Sequence, residues 1–290
     1  MEYQIIGLSK KLNQRKQIRK GYVMGKLAVR PKVDLAFKKI FSENKQILKA
    51  LISAALNIPT ADIQDMQLGN TEILPQDLNN KFCRLDLKVT MKGRIVDVEI
   101  QLNNHGHFQN RALFYWARLF SESLESGNNF KLLPETIVIS FINFDLFGCS
   151  GYHSHFILKE AVRNEVLTDK LAIHFFELTK LPKEIDKNKK IELWLKLIGA
   201  ETYEELSELE NSESDEIKEA LDYVKKLNAD EQFKRQIEMR ETALLEETSA
   251  LSFAEDKGRD VERQEMIEAM RDSGLDNEAI EKVLKAREKK

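Results

Sequence analysis

The chain has 290 residues, 42% of them hydrophobic, with 45 Lys and Arg set against 48 Asp and Glu for a formal net charge of −3. That fits one sizeable globular domain with appendages. No run approaches the roughly eighteen apolar residues of a membrane-spanning helix. The basic N-terminus is followed by no apolar stretch and does not read as a secretory leader. Two cysteines, Cys83 and Cys149, form no C-x-x-C pair, which argues against a disulfide framework or structural zinc and for a reducing, cytoplasmic setting.

Charge is unevenly spread. Residues 201–290 sum to −12 and residues 1–200 to +9, but residues 1–32 hold nine bases and one acid, leaving 33–200 at +1. A basic body of the kind that binds nucleic acid by charge alone is therefore absent.

In chain order, residues 1–30 read as a basic arm, in which Met24 is an alternative start. Asp34 suits a helix N-cap, followed by Ala36, Phe37, Ile40 and Phe41 at helical spacing. A second helix is expected from Lys45 to Leu56, with Ile47, Leu48, Leu51, Ile52 and Ala55 on one stripe, closed by Asn57 and Pro59. Asp65–Leu74 reads as extended, and Pro75–Lys81 as a polar loop. Phe82–Met91 and Arg94–Leu102 are strand-like runs around Lys92-Gly93. Phe108–Leu124 is an amphipathic helix and Glu135–Phe141 a buried strand. Tyr152–Phe156 and Leu171–Glu177 are shorter strands. From Ile191 the chain is helical and charged, its last helix, Asn277–Arg287, following a break at Ser273-Gly274. This order implies a mixed α/β core (31–200) with an acidic helical region (201–290).

A two-residue turn at Lys92-Gly93 sets the hairpin register. Opposed pairs are then Arg84–Gln101, Asp86–Glu99, Lys88–Asp97 and Thr90–Ile95 on one face. Leu85, Leu87 and Val89 oppose Ile100, Val98 and Val96 on the other. The apolar face is core. On the polar face Asp86 meets Glu99, a like-charge pairing that destabilises a hairpin. A divalent cation would reverse the sign, since Mg²⁺ binds one or two carboxylates and completes its shell with water and phosphate oxygens. Gln101 points to the same side. The bland alternative is a pair of solvated carboxylates on an exposed sheet.

An acidic residue on one strand and Glu-x-Lys on the next resembles the PD-(D/E)XK nuclease superfamily, here with Gln101 in place of the lysine. The longer resemblance is to its Rpn-like family of recombination-promoting nucleases or transposases. It is carried by Asp34-Leu-Ala-Phe-Lys-Lys-Ile-Phe41, Arg84-Leu-Asp-Leu-Lys-Val89, Val98-Glu-Ile-Gln101 and Arg111-Ala-Leu-Phe-Tyr115. The resemblance implies an α/β, PD-(D/E)XK nuclease-like mixed central sheet flanked by helices, with a helical C-terminal extension. It implies a Mg-dependent DNA endonuclease linked to mobile elements, recombination or defence, with Asp86 and Glu99 as metal ligands. Gln101 matches the position that usually holds lysine, where a neutral amide can orient water but supplies no charge. Asp34, Arg111 and Tyr115 match supporting positions, and Lys38 and Lys39 are candidate DNA-backbone contacts from the first helix. The alternative function is a weak or inactive nuclease fold acting as a DNA-binding or protein-interaction module. Phosphodiester chemistry alone leaves RNA open as substrate.

Other residues carry blander expectations. His105-Gly-His107 and His153-Ser-His155 have H-x-H spacing without cysteine partners, which makes metal binding there the less favoured reading. Trp116 and Trp194 fall on apolar helix faces and read as core. Glu177-Leu-Thr-Lys180 reads as architectural. The C-terminal helices, amphipathic and acidic, suit a homo-oligomer or protein-partner surface, or a shield against non-specific DNA binding.

Overall fold

The structure is a computed structural model, and it describes residues 25–73, 83–104, 106–124, 127 and 129–287. Residues 1–24 of the basic arm, the 75–81 loop and His105 lie outside the described residues. Two compact units divide the chain, the first ending at Lys234 and the second beginning at Arg235.

The first unit opens with helices α1 (Asp34–Glu43) and α2 (Lys45–Leu56). Asn44 caps α2, its side chain accepting from Gln46 N and Ile47 N, and Asn57 ends it in the left-handed region at φ 53°. The N-cap of α1 is Val33 rather than Asp34. Asp34 sits in the first turn instead, where its Oδ1 accepts from Leu35 N at 2.8 Å and its charge complements the helix dipole.

Short strands β1 (Gln67–Leu68), β2 (Glu72–Ile73) and β3 (Cys83–Arg84) precede the hairpin β4 (Leu87–Met91) and β5 (Arg94–Gln101). Helix α3 (Phe108–Glu122) leads to β6 (Glu135–Ile142), and β7 (His153–Phe156) and β8 (Leu171–Glu177) complete the strands. The main sheet has the order β1-β4-β5-β6-β8-β7, and β2 pairs only with β3. The β5–β6 and β6–β8 ladders are parallel; those at the two edges are antiparallel.

Alternation along the strands divides the sheet into two buried faces. Phe108 and Ala112 of α3 pack on Val138, Ile142, Leu171, Ile173 and Phe175. On the other face Phe37 of α1 meets Phe141 at 6.0 Å between ring centroids, and Phe141 stacks on Phe176 at 5.3 Å. Helix α4 (Lys190–Gly199) joins that layer through Trp194, buried beside Phe41, so this tryptophan is core as expected. Trp116 of α3 stacks on Phe120 and donates from Nε1 to Thr136 O at 2.9 Å.

Helices α5 (Tyr203–Ser207) and α6 (Asp215–Ala229) also belong to the first unit, with α6 packed on α2. Residues 25–30, the described end of the basic arm, run against this region. Leu27 N donates to Glu201 O at 2.8 Å, Val29 N to Asn228 Oδ1 at 2.9 Å, and Leu27 and Val29 are buried. Helix α7 (Glu231–Asp272) continues into the second unit, which ends in α8 (Asn277–Arg287). The break between them is at Gly274, φ 84°, and Asp276 Oδ1 caps α8 by accepting from Ala279 N. Among the described residues no helix is long and apolar enough to cross a membrane.

Candidate active site

The hairpin has the register set by its turn. Leu87 opposes Val98, Lys88 opposes Asp97 and Thr90 opposes Ile95, with Gly93 in the turn at φ 73°. A glycine accepts that conformation without strain. The ladder stops at Leu87, and there the sequence expectation needs correction.

Arg84 does not oppose Gln101; it pairs with Glu72 in the separate β2–β3 ladder. Continuing the antiparallel pattern would bond Ile100 to Leu85. Instead Leu85 N donates to Thr71 O at 2.8 Å, and Ile100 N donates to Asp86 Oδ2 at 2.9 Å. The strand bends at Asp86, whose carboxylate stands in for the missing backbone acceptor. The bend also moves Leu85 off the apolar face predicted for it, to pack with Leu119 of α3 beside Ile95 and Tyr115.

Asp86 and Glu99 are brought together by this bend. Asp86 N donates to Glu99 Oε1 at 2.8 Å, so each acidic side chain bonds the backbone at or beside the other. From α1, Lys38 Nζ lies 2.8 Å from Asp86 Oδ1. Asp34 is one turn earlier on the same helix and shares that face with Lys38. Lys39 turns elsewhere, bonding Glu43 Oε1 at 2.7 Å and lying 5.4 Å from the Phe233 ring centroid.

Around Asp97 and Glu99 the polar face is not solvated. Helix α3 lies over it, leaving Asp97 0% and Glu99 6% exposed. Burial, with Asp97 and Asp86 close by, holds the Glu99 carboxyl well above the usual carboxylate range. Burial and Asp86 push Asp97 the same way. Neither Asp97 oxygen meets a donor, and the Ser140 hydroxyl on β6, in register beside Glu99, is also unpartnered. Glu99, two residues on, is the neighbour with which Asp97 can share a proton. Sequence reasoning missed Asp97 by pairing it with Lys88; only the covering helix makes it a site residue.

Gln101 closes the row. Its Oε1 accepts from Arg111 Nη2, and its Nε2 donates to Asn103 O at 2.8 Å. Arg111 is held over two rings, its Cζ 4.6 Å from the Phe108 centroid and 5.9 Å from that of Tyr115. Arg111 thus packs on aromatics and orients Gln101 at once, with Tyr115 as part of its support.

Among the described residues no three His, Cys, Asp or Glu side chains form a ready-made metal cluster. A hard divalent cation does not need one. Asp86 and Glu99 supply two carboxylates, and the oxygens of Asp97 and Ser140 without hydrogen-bond partners mark a polar recess around Glu99. The donor set fits a hard divalent cation.

The remaining candidates have structural employment. Glu177, fully buried, accepts from Leu146 N at 2.6 Å, Phe147 N at 3.3 Å and Lys180 Nζ at 2.7 Å, tying the segment after β6 to the end of β8. His153 and His155 lie on β7 facing buried His174 of β8. His153 Nε2 and His174 Nδ1 are 3.0 Å apart, with centroids 5.2 Å apart and ring planes within 9°. Such an end-on, coplanar arrangement is a hydrogen bond between nitrogens that face each other. They do not converge on a third point. His107 precedes α3 in the left-handed region at φ 55°.

A mixed sheet bearing paired acidic residues on a bent strand and its neighbour, flanked by helices on both faces, is the frame of a PD-(D/E)XK nuclease-like protein. The chain matches the family model described as PD-(D/E)XK nuclease family transposase over residues 31–254, and it belongs to that family. No curated protein and no solved structure matches it.

Proposed function

We propose that the protein is a metal-dependent DNA endonuclease, with Asp86 and Glu99 holding a divalent cation such as Mg²⁺ and Gln101 positioning the attacking water. One observation carries this reading: the strand bend that places both acidic residues against each other's backbone. A like-charged pair held so firmly has a reason to exist when a cation joins it.

Bound there, the cation supplies Lewis-acid polarisation of the phosphodiester and lowers the pKa of bound water. The side chains supply orientation. Asp86 and Glu99 cannot swing apart without releasing Ile100 N and Asp86 N. Gln101 Oε1 has two lone pairs. Arg111 takes one, and the other can accept a hydrogen bond from water. Family membership favours a role in mobilising or rearranging DNA; strand joining is a separate demand beyond hydrolysis. Helix α7 fits a partner surface, since Met239, Leu245 and Phe253 remain exposed.

The test incubates supercoiled plasmid with purified wild type, Asp86→Asn and Glu99→Gln, with Mg²⁺ or with chelator. Nicking by wild type alone, and only with Mg²⁺, is expected. Equal nicking by wild type and variants, or none with Mg²⁺, would reject the assignment.

A further inference from the structure

The position after Glu-x is neutral in this chain. Gln101 orients water but supplies no positive charge to the reacting phosphate, and both ends of its amide are engaged, Oε1 by Arg111 and Nε2 by Asn103 O. Arg111 cannot readily leave to supply that charge, because its guanidinium is laid over Phe108 while it holds Gln101.

Another cation does reach the acidic pair. Lys38 Nζ is 2.8 Å from Asp86 Oδ1, and the lysine side chain keeps 30% exposure. An ammonium carries three protons; Asp86 takes one, leaving others for a phosphate oxygen. The aim of Lys38 is fixed by packing. Phe37 and Phe41 on the buried face of α1 touch at 4.6 Å between centroids, and both are fully buried. The adjacent Lys39 is diverted to Glu43, so the arrangement is particular to Lys38.

We infer that Lys38, delivered from α1, is the catalytic cation of this site and supplies the charge that Gln101 lacks. The inference rests on the nuclease reading. In hydrolysis the water oxygen bonds to phosphorus, the bond from phosphorus to one sugar oxygen breaks, and that oxygen takes up a proton to balance the one water loses. Lys38 keeps its own protons and stabilises the added negative charge on the phosphoryl oxygens as it develops.

The full-length chain tests this with a fluorescent duplex substrate and Mg²⁺, comparing wild type, Lys38→Met and the double variant Lys38→Met with Gln101→Lys. Lys38→Met is expected to lower kcat about 100-fold with KM within about threefold. Mn²⁺ affinity by calorimetry should be retained or tighter, because a competing ammonium has been removed. Adding Gln101→Lys should recover at least about tenfold of the lost kcat by restoring a cation at the same phosphate. An unchanged kcat, a loss confined to KM, a loss of Mn²⁺ binding, or no recovery in the double variant would each overturn the assignment. A wild type that does not cleave defeats the nuclease reading and this inference together. An active wild type with an unaffected Lys38→Met defeats only this one.

Discussion

The backbone N–H of Asp86 donates to Glu99 Oε1 at 2.8 Å, so the two acidic residues are joined across the strands by a hydrogen bond. Their side chains therefore hold the bend that precedes β4 as well as standing as candidate site residues. Separating those two roles requires substitutions that keep an oxygen acceptor while removing charge.

Glu99→Gln meets that requirement, since the amide oxygen can still accept from Asp86 N. Cleavage with Mg²⁺ is expected to fall at least about 100-fold while the melting temperature holds or rises. Calorimetric titration with Mn²⁺ should show weakened binding. Full retention of Mn²⁺ affinity would remove Glu99 from the cation site.

Asp97→Asn is expected to stabilise the metal-free protein at neutral pH. Burial and the neighbouring Asp86 raise the folded-state pKa of Asp97, so its contribution is fully present in acid and is lost as pH rises above the ordinary carboxylate range. Removing the charge should raise stability in urea at pH 7.5 by about 1–3 kcal/mol, with the gain shrinking toward pH 4. A loss of stability, or a gain independent of pH, would contradict this account of its burial.

His174 gives the opposite slope. Burial, followed by the charges of His155 and His153, lowers its pKa from 6.5 to about 3. The unfolded chain then binds a proton that the folded one refuses, so stability falls as pH drops from about 6.5 toward 3. One such proton is worth about 1.4 kcal/mol per pH unit at most. Urea melts between pH 7.5 and 4.5 should be shallower in pH dependence for His174→Phe than for wild type. Parallel curves would show that His174 is not the group responsible.

Asn228 tests the docking of residues 25–30. Its side chain accepts from Val29 N and donates to Val29 O, each at 2.9 Å, in a buried setting. Asn228→Ala leaves two backbone groups unsatisfied and should cost about 1–3 kcal/mol in chemical denaturation. A neutral outcome would mean that Leu27 and Val29 hold this segment by apolar packing alone.

Much of this protein is written locally. The register of the β4–β5 hairpin followed from alternation and a Lys-Gly turn, because a period of two and a glycine at positive φ are properties of a few consecutive residues. The break at Gly274 and the span of α2 were legible for the same reason. So was the candidacy of Asp86, Glu99 and Gln101, which needed only the knowledge that opposed or alternate residues share a face.

The rest depended on what lies over or beside those residues. No local pattern said that the chain would bend at Asp86, just before β4, because the bend depends on Leu85 finding Thr71 and Arg84 pairing with Glu72. Asp97 looked like half of a surface pair with Lys88 until α3 covered it and stripped its carboxylate of water. Lys38 was one of two adjacent helix lysines until the burial of Phe37 and Phe41 rotated it onto Asp86 and left Lys39 to Glu43. Sequence made Asp86 and Glu99 candidates and set the hairpin register from Leu87 to the turn. Tertiary packing decided their solvation and their cationic neighbour, because burial and aim are set by elements distant along the chain.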